Sequence, residues 1–338
     1  MSGRFSPIGA AALAVVLLAA SCSGSESGSP ATTTAPPTTV PSTTVSTTTT
    51  APPTTTEPLP EPGPTAAELC ALTPPVTEAV VVEAALLTEI SGIAISRQHA
   101  NRIWAHNDSG GSPRLHLIDA DLGADLGAWP LAEAGAFDWE DMAIHTTPDG
   151  LHHLYAADFG DNFRIRADIR IYRAGEPDDL STPAPLETDE FVFTYPGEVS
   201  DAESFFVDPS TGDFIVITKS WDDTPTGVYR APADTEPDTP TELEKIGEID
   251  LTGLSPFTTA ADITVDGSVI GVRTYQEILL WDRAPGQGIG DALNEAPCLA
   301  PAAPERQGEA LAFFADGSGY MTISEGENPP INRFAIAE

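Results

Sequence analysis

One short strand pattern, written five times, constrains this chain more than any other feature. Each copy opens with a small or acidic residue and runs into an apolar strand: Ser91-Gly92-Ile93-Ala94, Glu140-Asp141-Met142-Ala143, Asp201-Ala202-Glu203-Ser204, Ala261-Asp262-Ile263-Thr264 and Gly308-Glu309-Ala310-Leu311. A tight turn follows each, at Pro148-Asp149-Gly150, Pro209 to Gly212, Asp266-Gly267 and Asp316-Gly317, with Gln98 to Asn101 as a weaker first copy. Turns of this kind demand positive φ and close two-stranded hairpins. Second strands then read Ile103 to His106, Leu154 to Ala157, Phe214 to Thr218, Val269 to Arg273 and Tyr320 to Ile323. Third strands follow a polar turn, as in Ile169 to Arg173, Gly227 to Arg230, Glu277 to Asp282 and Ile331 to Ile336, and Phe191 to Tyr195 reads as a fourth.

Long helical periodicity is absent, and Gly and Pro punctuate the chain throughout. A four-stranded unit recurring at roughly 50–60 residues buries its faces only against its neighbours, which leads to copies arranged round an axis. The expectation is an all-β chain folded as a single β-propeller. Five blades are visible, and a sixth arises if Pro285 to Pro304 hides a degenerate copy. The last copy stops after its third strand, whereas Val80 to Leu87 is an unassigned apolar strand before the first. This N-terminal strand is therefore expected to complete the last blade and close the ring.

Ahead of the repeats the chain reads as an export signal and a spacer. Arg4 supplies a positive region, Ile8 to Ala20 an apolar run, and Ala19-Ala20-Ser21-Cys22 small residues before a cysteine. The run is shorter than the about 20 residues of a membrane-spanning helix. It resembles a bacterial lipobox, with Ala19 where leucine is usual, and the resemblance implies lipidation of Cys22 as the mature N-terminus. An ordinary secreted protein cut nearby is the alternative. Residues 22–66 are rich in Thr, Pro and Ser, have almost nothing to bury, and read as a disordered, semi-rigid stalk. The expected organisation is a signal peptide over 1–21, the stalk over 22–66 and the propeller over 67–338. The expected location is extracytoplasmic, on the cell membrane through an N-terminal lipid. Cys70 and Cys298 are then in an oxidising compartment and are expected to form a disulfide that staples the ring closure. Two free buried thiols are the alternative.

Aspartate and glutamate outnumber lysine and arginine 51 to 15, and the first sixty-three residues hold only Glu26, Glu57, Glu61 and Arg4 of these. The folded part is thus strongly acidic. Such a field repels phosphate backbones and anionic lipid headgroups, which argues against nucleic-acid partners and charge-driven membrane docking. Solubility or salt adaptation is the preferred account of the charge, so a cation site must come from local clusters. No oligomerisation signal stands out, and a monomer is expected.

In a propeller blade the first strand begins on the face where the second ends, since the two are antiparallel. The first-strand starts carry Glu89, Asp138, Glu140, Asp141, Asp201, Glu203, Asp262 and Glu309, and the second-strand ends carry Asn107, Asp108, Asp158, Asp161, Asn162, Asp222 and Glu325. All are expected around one channel mouth, with Lys219 and Arg273 at equivalent second-strand ends. Ca²⁺ takes six to eight oxygen ligands, so Glu140, Asp141, Glu203, Asp262 and Glu309 are the candidate calcium ligands. Asp108, Asp161, Asn162, Lys219, Arg273 and Glu325 are the candidate ligand-binding residues. The competing reading is structural: positions near water are polar, and Asp and Asn end strands by bonding their own turns. No catalytic residue is identified. His106 and His145 lack a nucleophile elbow, and no zinc spacing exists. Trp104, Trp139 and Phe205 read as core between blades.

With His106-Asn107-Asp108-Ser109-Gly110, Asp138-Trp139-Glu140-Asp141, Gly160-Asp161-Asn162, Asp201-Ala202-Glu203 and Gln307-Gly308-Glu309-Ala310 in hand, the domain resembles a group of exported bacterial lipoprotein-type propellers over nearly all of Glu89 to Phe334. It is distantly similar to the esterase-like phytase propellers through Asp201-Ala202-Glu203 and Gly308-Glu309-Ala310. The resemblance implies a propeller that carries calcium or hydrolyses an ester, and it transfers no catalytic residue. Two functions are therefore expected: a surface-displayed binding or scaffold module for a small-molecule or protein ligand, or a Ca²⁺-dependent phosphoester or ester hydrolase of phytase-like or lactonase-like type.

Overall fold

The computed structural model describes residues 63–73, 80–109, 111–221 and 225–336. The signal peptide, the lipidation site Cys22, the stalk as far as residue 62, Gly110 and Asp222 lie outside the described residues. A short helix, α1 (Ala66–Cys70), begins at the last residue assigned to the stalk and precedes β1 (Val80–Val81). Blade 1 is β2 (Ile90–Ile95), β3 (Arg102–Asn107), β4 (Arg114–Asp119) and β5 (Asp125–Pro130). Blade 2 is β6 (Trp139–Thr146), β7 (His152–Asp158), β8 (Ile169–Gly175) and β9 (Thr188–Thr194). Blade 3 is β10 (Ala202–Val207), β11 (Phe214–Thr218), β12 (Thr226–Ala231) and, after the two-residue β13 (Thr241–Glu242), β14 (Glu244–Ile249). Blade 4 is β15 (Thr258–Ile263), β16 (Val269–Thr274), β17 (Ile278–Asp282) and, after helix α2 (Ile289–Leu293), β18 (Cys298–Ala300). Blade 5 is β19 (Gly308–Phe313), β20 (Gly319–Ser324) and β21 (Pro330–Ala335).

Each blade is an antiparallel meander, and the first strands touch one another in a ring. The ring closes as expected: Val80 and Val81 pair with Ile331 and Pro330 as the fourth strand of blade 5. The Pro285 to Pro304 stretch supplies α2 and β18, the latter the fourth strand of blade 4, so five blades complete the ring. β13 leaves blade 3 and pairs parallel with β9, giving blade 2 a fifth strand.

The apolar runs are continuous because both faces of each blade are buried. Successive side chains of a strand point to opposite faces, so each blade feeds two cores. In blade 1, Ile93, Ile103 and Ala105 pack against blade 5, while Ala94, Trp104 and Leu117 pack against blade 2. Five such clusters lie at the five blade interfaces. Trp104, Trp139 and Phe205 are fully buried in them, and Trp104 meets Trp129 edge-on at 5.1 Å. The hairpin chemistry also appears as expected: Asn101, Gly150, Gly212, Gly267 and Gly317 occupy equivalent inner turns, all with positive φ.

A disulfide joins Cys70 to Cys298, with Cα atoms 6.2 Å apart. It fixes α1 to the outer strand of blade 4, where Ala66 and Leu69 are buried against blades 4 and 5. A capping box of Thr65 and Glu68 starts this helix.

Candidate functional site

Near the start of every first strand the pairing with the second strand skips one residue: Ser91, Glu140, Glu203, Thr259 and Glu309. A β-bulge re-aims the extra side chain and breaks the alternation at that point. Four of these five, all but Thr259, line a cavity of about 160 Å³ at the mouth of the central channel. A second ring comes from the residues just beyond the position paired before each bulge: Asp108, Phe159, Lys219, Tyr275 and Glu325. Four of these, all but the buried Phe159, line the same cavity. Glu89, Asn162, Trp221 and Gln307 complete the polar lining.

These rings sort the expected site residues. Glu140, Glu203, Glu309, Asp108, Asn162, Lys219 and Glu325 come together at the mouth. Asp141 does not line it. Standing one residue past the bulge, Asp141 is fully buried, and its carboxylate accepts the amides of Met142 (2.8 Å), Phe205 (2.7 Å) and Ala261 (2.9 Å). It thereby ties blade 2 to blades 3 and 4. Asp262 does not line the mouth either, because the bulge of blade 4 falls at Thr259, three residues earlier. Its carboxylate accepts the amides of Ile263 and, in blade 5, Phe313 at 2.7 Å. Arg273 is not the counterpart of Lys219. That place belongs to Tyr275, and Arg273 lies buried between blades 4 and 5, paired with Glu305 and donating to the carbonyl of Ala310 at 3.0 Å. Asp161 is buried as a loop anchor, its carboxylate accepting the amide of Arg166 at 2.7 Å.

The floor and wall are electrostatically loaded. Burial, together with Glu203, Asp108 and Asp138, lifts Glu140 well above the ordinary carboxylate range. Burial and the neighbouring Asp108 push Asp138 up to about 7, and burial takes Glu309 to about 7 against the 2.7 Å hydrogen bond from Gln307. Asp108 and Glu325 are also raised by burial and by acidic neighbours. Burial outweighs the pull of Lys219 on Glu203 and takes it to about 8. Lys219 itself, 3 % exposed, resists the effect of burial because it pairs with Glu203 and donates to the Tyr275 hydroxyl at 2.9 Å, and its pKa is raised. Its ammonium lies 5.0 Å from the Trp221 ring and 4.8 Å from the Tyr275 ring, an aromatic corner that favours the charged form. Below, burial keeps His106 neutral, with its pKa lowered to about 4.

Within this field, Asp108, Asp138 and Glu140 can each offer one oxygen such that all three lie within 4.8 Å of one another. Of this set only Glu140 is a calcium ligand expected from sequence: Asp108 is expected there to bind the ligand, and Asp138 only to stand at the mouth. Gly160 makes the approach feasible. A Cβ there would stand 2.2 Å from Glu140 Oε1 and 2.6 Å from Asp138 Oδ2. Tyr275, Trp221 and Gln307 were also missed, since each comes from a loop whose nearness to the axis appears only in the folded ring.

No family model matches this chain, and no curated protein matches it. Among solved structures, a nidogen/laminin complex is similar over 70% of this chain and 72% of that chain, at 11% identity and a TM-score of 0.41.

Proposed function

We propose that the domain is a ligand-binding module displayed outside the cell, whose channel mouth holds a calcium ion and presents it, with the surrounding acids, to a ligand. The observation that carries this reading is the convergence of Asp108, Asp138 and Glu140 within 4.8 Å around the bare Cα of Gly160. An all-oxygen, carboxylate donor set suits a hard cation that takes oxygen ligands. The upward shifts of Asp138 and Glu140 describe a cluster that lacks positive charge, and bound calcium would supply that charge. Glu203 is not part of this set: it is paired with Lys219. The hydrolytic alternative asks Lys219 to meet an anionic substrate, and its commitment to Glu203 and Tyr275 favours binding over catalysis.

Thermal melting with calcium and with a chelator tests the reading. Calcium is expected to raise the Tm of the parent protein, and to do so much less for Asp138→Asn/Glu140→Gln. An unchanged Tm of the parent with millimolar calcium would sink the metal site.

For location, the proposal joins Cys22 lipidation and a Thr/Pro spacer to a disulfide that suits an oxidising compartment. No helix among the described residues is long and apolar enough to cross a membrane. Two lipid chains on Cys22 would give stable anchoring. Cys22→Ser should then move the protein from the membrane pellet to the soluble fraction, and an unchanged pellet would remove the anchor.

A further inference from the structure

We propose that the mouth face is a docking surface for a polypeptide partner that inserts an arginine or lysine side chain flanked by apolar residues. This rests on the binding-module reading, though not on calcium. The first observation is a crown of solvent-exposed apolar side chains: Phe163 is 84% exposed, Ile165 74%, Phe137 64%, Leu86 63% and Trp221 48%. All five stand on the face that carries the mouth, in the segments that follow second strands or precede first strands. Trp221 lines the cavity, Phe163 and Ile165 follow its lining residue Asn162, and Phe137 precedes Asp138. Leu86 shares an adjoining pocket of about 210 Å³ with Asp108. Single exposed apolar side chains are ordinary, whereas a group on the face of one opening marks an interaction site.

The crown is built rather than frayed. Asp161 donates its amide to Asp201 at 2.8 Å, accepts the amide of Arg164 on its carbonyl at 2.7 Å and that of Arg166 on its carboxylate. Arg166 in turn pairs with Asp158 at 2.8 Å and covers the Phe137 ring at 4.8 Å. Phe163 and Ile165 are therefore presented from a loop tied down at both ends.

The second observation is inside the well. Glu140 is only 5% exposed, and among the described residues the hydrogen bond to its carboxylate is a 3.3 Å contact from the Ser91 hydroxyl. That hydroxyl has a single proton and gives it to the Glu140 carbonyl at 2.5 Å. The carboxylate thus faces the cavity without a committed donor among the described residues, and Glu309 and Glu325 face it from blade 5. A cavity of about 160 Å³ admits one side-chain head, and in the metal-free mouth a guanidinium can bond carboxylates from two blades at once, in competition with calcium for Glu140. The neighbours of that basic residue would then lie on Phe163, Ile165 and Trp221, joining apolar burial to a charged anchor. A second copy of this chain is disfavoured as the occupant because the net charge of -36 repels it.

The test titrates the propeller with three peptides, acetyl-Leu-Arg-Leu-amide, acetyl-Leu-Gln-Leu-amide and acetyl-Gly-Arg-Gly-amide, followed by tryptophan fluorescence. The first is expected to bind at least about tenfold tighter than either of the others and to weaken with added salt. Phe163→Ser/Ile165→Ser, on exposed positions, should bring the first peptide to the level of the third while leaving Tm and the calcium response unchanged. Equal or absent binding of the three peptides, or full affinity in the double variant, overturns the proposal. Binding to zwitterionic phosphatidylcholine vesicles that depends on Phe163 and Ile165 overturns it in favour of a lipid surface. Peptide binding without any calcium response leaves it standing and removes the metal site alone.

Discussion

The carboxylate of Asp141 in blade 2 accepts the backbone amide of Ala261 in blade 4, two blades away, at 2.9 Å. The same oxygen accepts the amide of Phe205 in blade 3 at 2.7 Å, so one acid ties three first strands at the axis. Removing it takes an acceptor from the amides of Met142, Phe205 and Ala261 in a fully buried site. Each unsatisfied donor costs about 1–3 kcal/mol. Asp141→Ala is therefore expected to lose roughly 3 kcal/mol or more in urea unfolding, and Asp141→Asn, which keeps an acceptor oxygen, much less. A loss under about 1 kcal/mol in the alanine variant would show that the tie is dispensable.

The Cys70–Cys298 bridge closes a loop of sequence separation 228 and holds α1 to blade 4. In the chain-entropy model such a loop restricts the unfolded chain by about 5 kcal/mol. Cys70→Ala/Cys298→Ala should lower the denaturation midpoint by several kcal/mol of stability and leave the near-UV dichroism of the native state intact. A variant unfolding at the parent's midpoint would show that the bridge does not restrict the unfolded chain.

How much of this was legible follows from where the period holds and where it breaks. Four of the five inner turns declare themselves by a glycine and the Gln98 to Asn101 turn only weakly, and continuous apolar strands show that both faces are covered, so the blade type and the ring closure are legible, whereas five blades rather than six follows only once Pro285 to Pro304 is seen to supply α2 and β18. Glu140, Glu203 and Glu309 are equally visible as acidic strand openings. Asp141 and Asp262 mislead because a bulge resets a period of two, and the adjacent acid then falls on a different side from the one counted. In blade 4 the bulge sits at Thr259, a residue that does not stand out in sequence. Tyr275 and Arg273 exchange roles for the same reason: a shift of two residues separates a mouth position from a blade interface.

Gly160 makes a sharper test of the mouth than any acid does. Its conformation is open to other residues, so a substitution acts through space rather than backbone strain. The added Cβ of Gly160→Ala would meet Glu140 Oε1 and Asp138 Oδ2, and the loop or the carboxylates must give way. Calcium affinity is expected to fall at least about tenfold, about 1.4 kcal/mol, with a smaller change in Tm without calcium. Calorimetric titration measures the first and melting the second; parent-like affinity would place the ion elsewhere.

Proton linkage gives the last prediction its sign. Asp138 and Glu309 have native values raised to about 7 from ordinary carboxylate values near 4, so the native state holds protons that the unfolded chain has released. Stability rises with pH only where the unfolded state binds more protons, and here the native state does. These groups therefore contribute full stability below about pH 4, and that contribution is lost as pH rises toward and through about 7. Without calcium, the mouth should make the protein less stable at pH 8 than at pH 5. Calcium binds the ionised form, so its stabilisation should grow over the same window and oppose the loss. Melting curves from pH 5 to pH 8, with chelator and with calcium, read both arms. Replacing Asp138 by Asn and Glu309 by Gln should flatten the chelator arm and shrink the calcium arm. A chelator arm of the parent as flat from pH 5 to pH 8 as that of the double variant would show that these carboxyls are already ionised in the native state and that the cluster holds its charge without a metal.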